Sequence, residues 1–484
     1  MGCVRLCLLV RAGLSHTGDV VTDQRPRLDR AVIAGGLIVP PGDAVPDDVW
    51  RALRTPNPAY RSWTMRRKGP PPPETVTPDV RVTNGPWSGA VVLPRCSPVD
   101  VLRRADRLAS PECGADVVRA MSADYRPRPH QVAAVAAVEA AGGGMVVAPA
   151  GSGKTDIGVI LCSRNRTPTV IIAPTIDIMK QWKARILGGD GQDARIPGAS
   201  VGLVGAGKDE RDADIVIASV KTLVRWGCTE LYEWGKGRGL VIYDECHHAA
   251  APTDRQVLAA LPGAMRVGLT ATPERKDGLT DWVSWLFGPV VYSISQQDMQ
   301  DQGRVLRPRI QVVRTGYVPM DGEDVQPVER VTALTEDESR NVRVVASIAS
   351  ELRAGRRVLA LTERREHTSV IAEMLQQGGH NAYAVDGSMA AKGRGSVLAD
   401  FRSGAVSCVV ATQLADEGLD VPECDCVALM VPSSHRSRTE QRIGRGLRPS
   451  PGKAPLVLDF LDEGAWAMRK RSARKALFRD LGWG

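Results

Sequence analysis

Two short segments of this chain hold residues whose types and spacing suit phosphate chemistry. In the first, the apolar run Met145–Ala148 passes into Pro149-Ala150-Gly151-Ser152-Gly153-Lys154-Thr155, and a helical pattern follows from Asp156. Glycines let the backbone fold so that its N–H groups point at phosphate oxygens, and the N-terminus of the following helix adds a favourable dipole. In such a loop Gly151, Ser152 and Gly153 cradle the phosphates of ATP, Lys154 reaches the β and γ phosphates, and the Thr155 hydroxyl holds Mg2+. Ala148 stands where the commonest form of this pattern has its first glycine. The second segment is the apolar run Leu240–Tyr243, followed by Asp244-Glu245-Cys246-His247. An acidic pair after a strand commonly caps a helix. Paired with a phosphate loop it has a second use: Asp244 binds Mg2+, through water, and Glu245 accepts a proton from the attacking water. The latter role needs a carboxylate near the γ phosphate that does not itself ligate the metal.

Such residues must be carried on the ends of buried strands. Short apolar runs recur at Met145–Ala148, Val170–Ala173, Ile215–Ala218, Leu240–Tyr243 and Arg266–Leu269. A second series follows at Val358–Leu361, Ala382–Val385, Cys408–Ala411, Cys426–Val431 and Leu456–Phe460. Runs of this kind, separated by helical stretches, read as parallel strands covered on both faces. The expected fold class is α/β, with two tandem parallel-sheet domains, which the resemblance described below implies are RecA-like, over residues 119–305 and 306–484 and a small N-terminal accessory domain over 1–118. The polar segment 314–332 is expected near the join. Within 1–118 lie a proline-rich connector (69–78) and, before it, Arg61-Ser62-Trp63-Thr64-Met65-Arg66-Arg67-Lys68. Basic residues around an aromatic suit a nucleic-acid backbone, and a solvated loop is the plain alternative. The basic run Arg469–Lys475 reads as a helix with either a solvated or a duplex-contacting face.

Composition narrows the class. At 43% hydrophobic but only 4% aromatic, the cores must be built mostly from Ala, Val, Leu and Ile. A formal charge of +8 favours a polyanionic partner without saying anything about fold. No run of about twenty apolar residues marks a membrane span. Ten cysteines scattered along the chain do not read as a disulfide framework or a zinc site, and the cytoplasm is the expected location, that of the host if the chain is phage-encoded.

The order of further motifs resembles the superfamily-two helicases and translocases of the DEAD/DEAH type. Gly268–Gly278 contains Thr270-Ala271-Thr272 and an extension with Pro273, Arg275, Asp277 and Gly278. This resembles the xeroderma-pigmentosum-B-like DNA helicase subgroup, in a phage or bacterial relative. The resemblance implies that Thr270, Thr272 and His247 couple hydrolysis to strand contacts. It implies that Arg128 and Gln131, in Arg128-Pro129-His130-Gln131, contact adenine, although His130 stands where an aromatic is more usual. Pro174 and Thr175, Ser219 and Thr222, Thr362, and Thr412 resemble strand-contacting motifs. Gly418 and Asp420 resemble a segment that touches ATP. Gln441-Arg442-Ile443-Gly444-Arg445-Gly446-Leu447-Arg448 matches the arginine-finger motif, with Gln441, Arg445 and Arg448 reaching the γ phosphate. The function implied is an ATP-dependent helicase, on DNA in preference to RNA, with ATP and Mg2+ as cofactors. Two alternatives stand beside it: a duplex translocase of a restriction or defence system that does not separate strands, and a nucleic-acid sensor that uses ATP only as a switch.

Overall fold

A computed structural model of the protein describes residues 32–33, 37–39, 45, 47–60, 71–81, 91–94 and 96, and 117–483 apart from 190–192, 264, 276, 320–324, 413–422, 433–438, 440–442 and 445–452. Two compact units divide the chain, one of residues up to Ala148 with Gly153–Ser293, the other of Ile294 onward with Pro149–Ser152. The polar segment 314–332 therefore lies inside the second unit rather than at the join. The basic stretch 61–68 falls outside the described residues.

Six short strands come first: β1 (Val32–Ile33), β2 (Leu37–Val39), β3 (Thr55–Pro56), β4 (Thr75–Val76), β5 (Val80–Arg81) and β6 (Val91–Leu93). They pair antiparallel, in the order β1-β2-β6-β5 with β3-β4 apart. Asn57 staples the proline-rich connector. Its backbone N–H donates to Glu74 O at 2.8 Å and its side-chain amide to Pro73 O at 2.6 Å. Val80 and Val92 pack with Cys228 and Ala259, and Cys96 N–H donates to Trp285 O at 2.8 Å, so this segment leans on the first unit's helices.

The first unit's large sheet holds β7 (Gly144–Val147), β8 (Thr169–Ile172), β9 (Val201–Gly205), β10 (Lys208–Asp209), β11 (Ile215–Ala218), β12 (Leu240–Asp244), β13 (Met265–Thr270) and β14 (Val290–Ser293). Their order is β10-β9-β11-β8-β12-β13-β7-β14, parallel throughout except for the β9–β10 hairpin. The central strands are apolar along their whole length because helices cover both faces. Register decides where the chemistry goes. Thr270 pairs with Val147 and Leu269 with Asp244, so β12, β13 and β7 end side by side and the three segments that leave them share one sheet edge. Below that edge Tyr243 meets Phe287 edge to face, with centroids 5.7 Å apart. Arg266 is buried, and its guanidinium donates to Leu258 O and Leu261 O at 2.9 Å each, satisfying carbonyls at the end of helix Pro252–Ala260.

The second unit's sheet holds β15 (Arg309–Arg314), β16 (Val358–Thr362), β17 (Ala382–Val385), β18 (Cys408–Thr412), β19 (Cys426–Leu429) and β20 (Leu456–Leu461), all parallel, in the order β15-β20-β19-β16-β18-β17. Four strands of these two large sheets have no counterpart among the apolar runs of the sequence. β9 is interrupted by glycine, β10 is two charged residues, and β14 and β15 are edge strands whose half-exposed residues do not form a continuous apolar run. In the helix Ala465–Asp480, Arg474 is turned inward and pairs with buried Asp459 at 2.9 Å, while Arg469 and Lys475 are exposed. Among the described residues no helix is long and apolar enough to cross a membrane.

Candidate nucleotide and strand site

The phosphate loop leaves β7 at Ala148, whose N–H donates to Thr270 O at 2.9 Å. Gly151 and Gly153 adopt φ of 82° and 84°, the left-handed region that side chains other than glycine rarely enter. At Gly153 a Cβ would also lie 2.5 Å from Gln131 Nε2. The helix Lys154–Arg164 begins at once, so Lys154 and Thr155 occupy its first turn. The Lys154 ammonium donates to Ala148 O at 3.0 Å, and the Ser152 hydroxyl to Pro149 O at 2.7 Å.

Gln131 is buried beside this loop. Its Oε1 accepts from Arg128 N–H at 2.8 Å and from the Tyr125 hydroxyl at 3.2 Å, which turns Nε2 toward Gly153 O at 3.4 Å. Arg128 is half-buried, and His130 is buried within its own helix's packing face.

Asp244 closes β12. Its Oδ1 accepts from Glu245 N–H at 3.0 Å and its Oδ2 from the Trp182 indole N–H at 2.8 Å. Burial, then the neighbouring Glu245 carboxylate, pushes Asp244 up to about 6. Burial also opposes the charge of Glu245, but Lys154 and then His247 more than offset it and hold this group ionised. Glu245 itself sits at φ 52°, ψ 53°, a conformation unusual for a residue with a side chain.

From Glu245 a polar chain runs to β13. Glu245 Oε2 lies 3.4 Å from His247 Nδ1, which is 3.1 Å from Thr270 Oγ1. The Thr270 hydroxyl donates to Thr272 O at 2.9 Å, so His247 Nδ1 carries the proton and donates to it. The Arg275 guanidinium donates to His247 O and grips Asp277, fastening the extension after β13 to the acidic segment. Among the described residues no group of three or more His, Cys, Asp or Glu side chains of metal-holding form occurs.

The candidate strand contacts fall at strand ends. Ala173 N–H donates to Ala218 O at 3.0 Å, which brings Pro174 and Thr175 to the same edge as Ser219 and Thr222, all four half-buried. The Thr175 hydroxyl accepts from Ile178 N–H at 3.3 Å and caps the helix Ile176–Leu187. In the second unit Thr362 pairs with Thr412. Both are buried, and the Thr362 hydroxyl donates to His367 Nδ1 at 2.7 Å, so this hydroxyl is engaged inside the fold and only the backbone there is left to meet a phosphate. Gly418, Asp420, Gln441, Arg445 and Arg448 lie outside the described residues. Trp182 and Tyr125, which orient Asp244 and Gln131, were not among the sequence candidates. Trp182 stands 62 residues before Asp244, where no spacing could mark it, and Tyr125 stands six residues before Gln131, outside the motif read there.

Residues 124–275 match the family model described as Type III restriction enzyme, res subunit, and residues 340–450 match the Helicase conserved C-terminal domain. The DNA 3'-5' helicase XPB of Kineococcus radiotolerans is 31% identical over 337 residues, covering 66% of this chain and 57% of that protein. The DNA 3'-5' translocase XPB2 of Sulfurisphaera tokodaii is 26% identical over 370 residues, covering 69% of this chain and 80% of that one. The ATP-dependent Type ISP restriction-modification enzyme LlaBIII bound to DNA shares the fold, with a TM-score of 0.54 at 14% identity over 74% of this chain and 30% of that one. The chain belongs to the superfamily-two helicases, built on two RecA-like domains. Within them it lies close to the XPB-like DNA helicases, although it spans little more than half the length of the Kineococcus relative.

Proposed function

We propose that this protein hydrolyses ATP to drive movement on DNA, separating its strands. The observation that carries the reading is the meeting of the phosphate loop and the acidic pair at one sheet edge, on the ends of β7 and β12 to either side of β13, with Glu245 held ionised beside Lys154. Lys154 binds the β and γ phosphates, Gln131 and Arg128 read the base, and Glu245 takes a proton from the attacking water. Asp244 and Thr155 would hold Mg2+, which lends positive charge to the phosphates when bound. Arg445 and Arg448, with Gln441, would supply charge to the departing phosphate, and Gly418 and Asp420 would touch ATP. His247, Thr270 and Thr272 form a continuous polar path from Glu245 to the end of β13, a route by which hydrolysis can be felt at strand contacts. DNA is favoured over RNA because the relatives are a DNA helicase and a DNA translocase.

ATPase rates with single-stranded DNA, duplex DNA and RNA side by side test this. DNA should stimulate most, and nucleic-acid binding should weaken steeply with salt as counterions are released. A rate indifferent to every nucleic acid would refute it. The restriction-enzyme family match over residues 124–275 favours one second reading, a duplex translocase that does not unwind. Triplex displacement without strand displacement would establish it. A pure ATP switch could dispense with turnover and is disfavoured by the presence of Glu245, Gln441, Arg445 and Arg448 together; sustained multiple-turnover hydrolysis would exclude it.

A further inference from the structure

We infer that Trp182 is a positioning residue for the metal site, holding the Asp244 carboxylate in one orientation and tying it to the helix that Thr175 caps. The inference rests on the nucleotide-site reading above and adds a residue that does not itself touch the nucleotide.

Three observations meet at this side chain. Trp182 is fully buried on the helix Ile176–Leu187, and its indole N–H donates to Asp244 Oδ2 at 2.8 Å. The other oxygen, Oδ1, accepts from Glu245 N–H at 3.0 Å. With a donor on each oxygen the carboxylate plane is set, and each oxygen keeps a lone pair for a further contact. Second, space has been cleared for the indole. Gly158 lies in the interior of the phosphate-loop helix, where glycine costs about 1 kcal/mol relative to alanine. A Cβ there would stand 2.3 Å from Trp182 Cη2 and 3.0 Å from Cζ3. The ring is therefore pressed against the helix that begins with Lys154 while its N–H reaches Asp244. Third, Thr175, a candidate strand contact, caps the same helix about two turns before Trp182. A helix moves as a rod, so a shift at its N-terminus on strand binding is passed to the indole and from there to the Asp244 carboxylate. A buried indole usually finds an acceptor. A phenyl ring would fill this space without one, and the acceptor used here is the carboxylate assigned to the metal.

The test is Trp182→Phe in the full chain, which keeps an aromatic ring on Gly158 and removes the N–H. Mg2+ is titrated into the ADP-bound protein by calorimetry, with ADP binding in chelator as control. Trp182→Phe should weaken Mg2+ binding about tenfold to a hundredfold, the usual effect of removing a group that orients a metal ligand, and leave metal-free ADP binding unchanged. Unchanged Mg2+ binding would overturn the inference. Asp244→Asn tests the underlying reading separately: if that variant also binds Mg2+ normally, the metal site has been misplaced. Should Trp182→Phe fail to fold, the indole N–H resonances of the protein's ten tryptophans decide. Asp244→Asn should shift one of them, and an unchanged set overturns the inference.

Discussion

His367 gives the second unit a pH dependence that can be worked out from its surroundings. It is buried, its Nδ1 accepting from the Thr362 hydroxyl at 2.7 Å and its Nε2 donating to Asn341 Oδ1 at 3.0 Å, so both ring nitrogens are satisfied in the neutral form. Burial, then the charge of Arg340, lowers its pKa from 6.5 to about 3. The unfolded chain takes up a proton as pH falls through 6.5, and the folded chain does not until near 3. Stability contributed by neutral His367 is thus fully present above 6.5 and lost as pH falls through the window between those values. The slope is about 1.4 kcal/mol per pH unit, so between pH 7 and pH 4.5 the loss is roughly 2–3 kcal/mol from this residue alone. His367→Gln, which cannot titrate, removes that component. Hydrogen exchange of the β16 and β18 amides, measured for both proteins at pH 7 and under mild acid, isolates it, because titrations of the carboxyls cancel in the comparison. Exchange protection in the variant should fall less with acid than in the parent. Parallel losses would mean that His367 accepts a proton in the folded state and that its place in the Thr362–Asn341 network is wrong.

Four other variants have expected outcomes. Lys154→Ala removes the cation of the phosphate loop, and turnover should fall by about a hundredfold to a thousandfold while nucleic-acid binding without ATP survives; retained ATPase would show the loop misassigned. Glu245→Gln keeps the shape but not the basicity, so the variant should bind ATP, fail to hydrolyse it and stay on nucleic acid while ATP is present. Arg445→Ala should lose about 1.5–3 kcal/mol of ATP-dependent tightening, a roughly tenfold to hundredfold change; equal tightening of these two variants on adding ATP would refute the arginine-finger role. Arg340→Ala breaks the fully buried pair with Asp462, joined at 2.6 Å, and also deletes the bond to Met430 O. The expected cost is about 3–5 kcal/mol in thermal or denaturant unfolding of the second unit, and a change under about 1 kcal/mol would contradict the geometry.

Much of this protein can be read from its sequence because the governing signals are local. A glycine-rich turn between an apolar run and a helix needs nothing distant to be recognised, so Gly151, Gly153, Lys154 and Thr155 stand where the pattern puts them. Central strands buried on both faces are continuous apolar runs for the same reason that they are buried, and β11 coincides with its run. Edge strands are marked less evenly: β17 carries an apolar run although Tyr383 is exposed, whereas the partly exposed β14 and β15 are not among the runs read from the sequence. Tertiary structure alone decided what each functional group leans on. It placed β13 between β12 and β7, turned the Thr362 hydroxyl inward onto His367, and drew Arg474 out of a basic surface run to neutralise Asp459. It also set Trp182 against Asp244, 62 residues away in sequence. Hydrogen bonds of that kind depend on register and helix packing summed over the whole sheet, and no spacing along the chain encodes them.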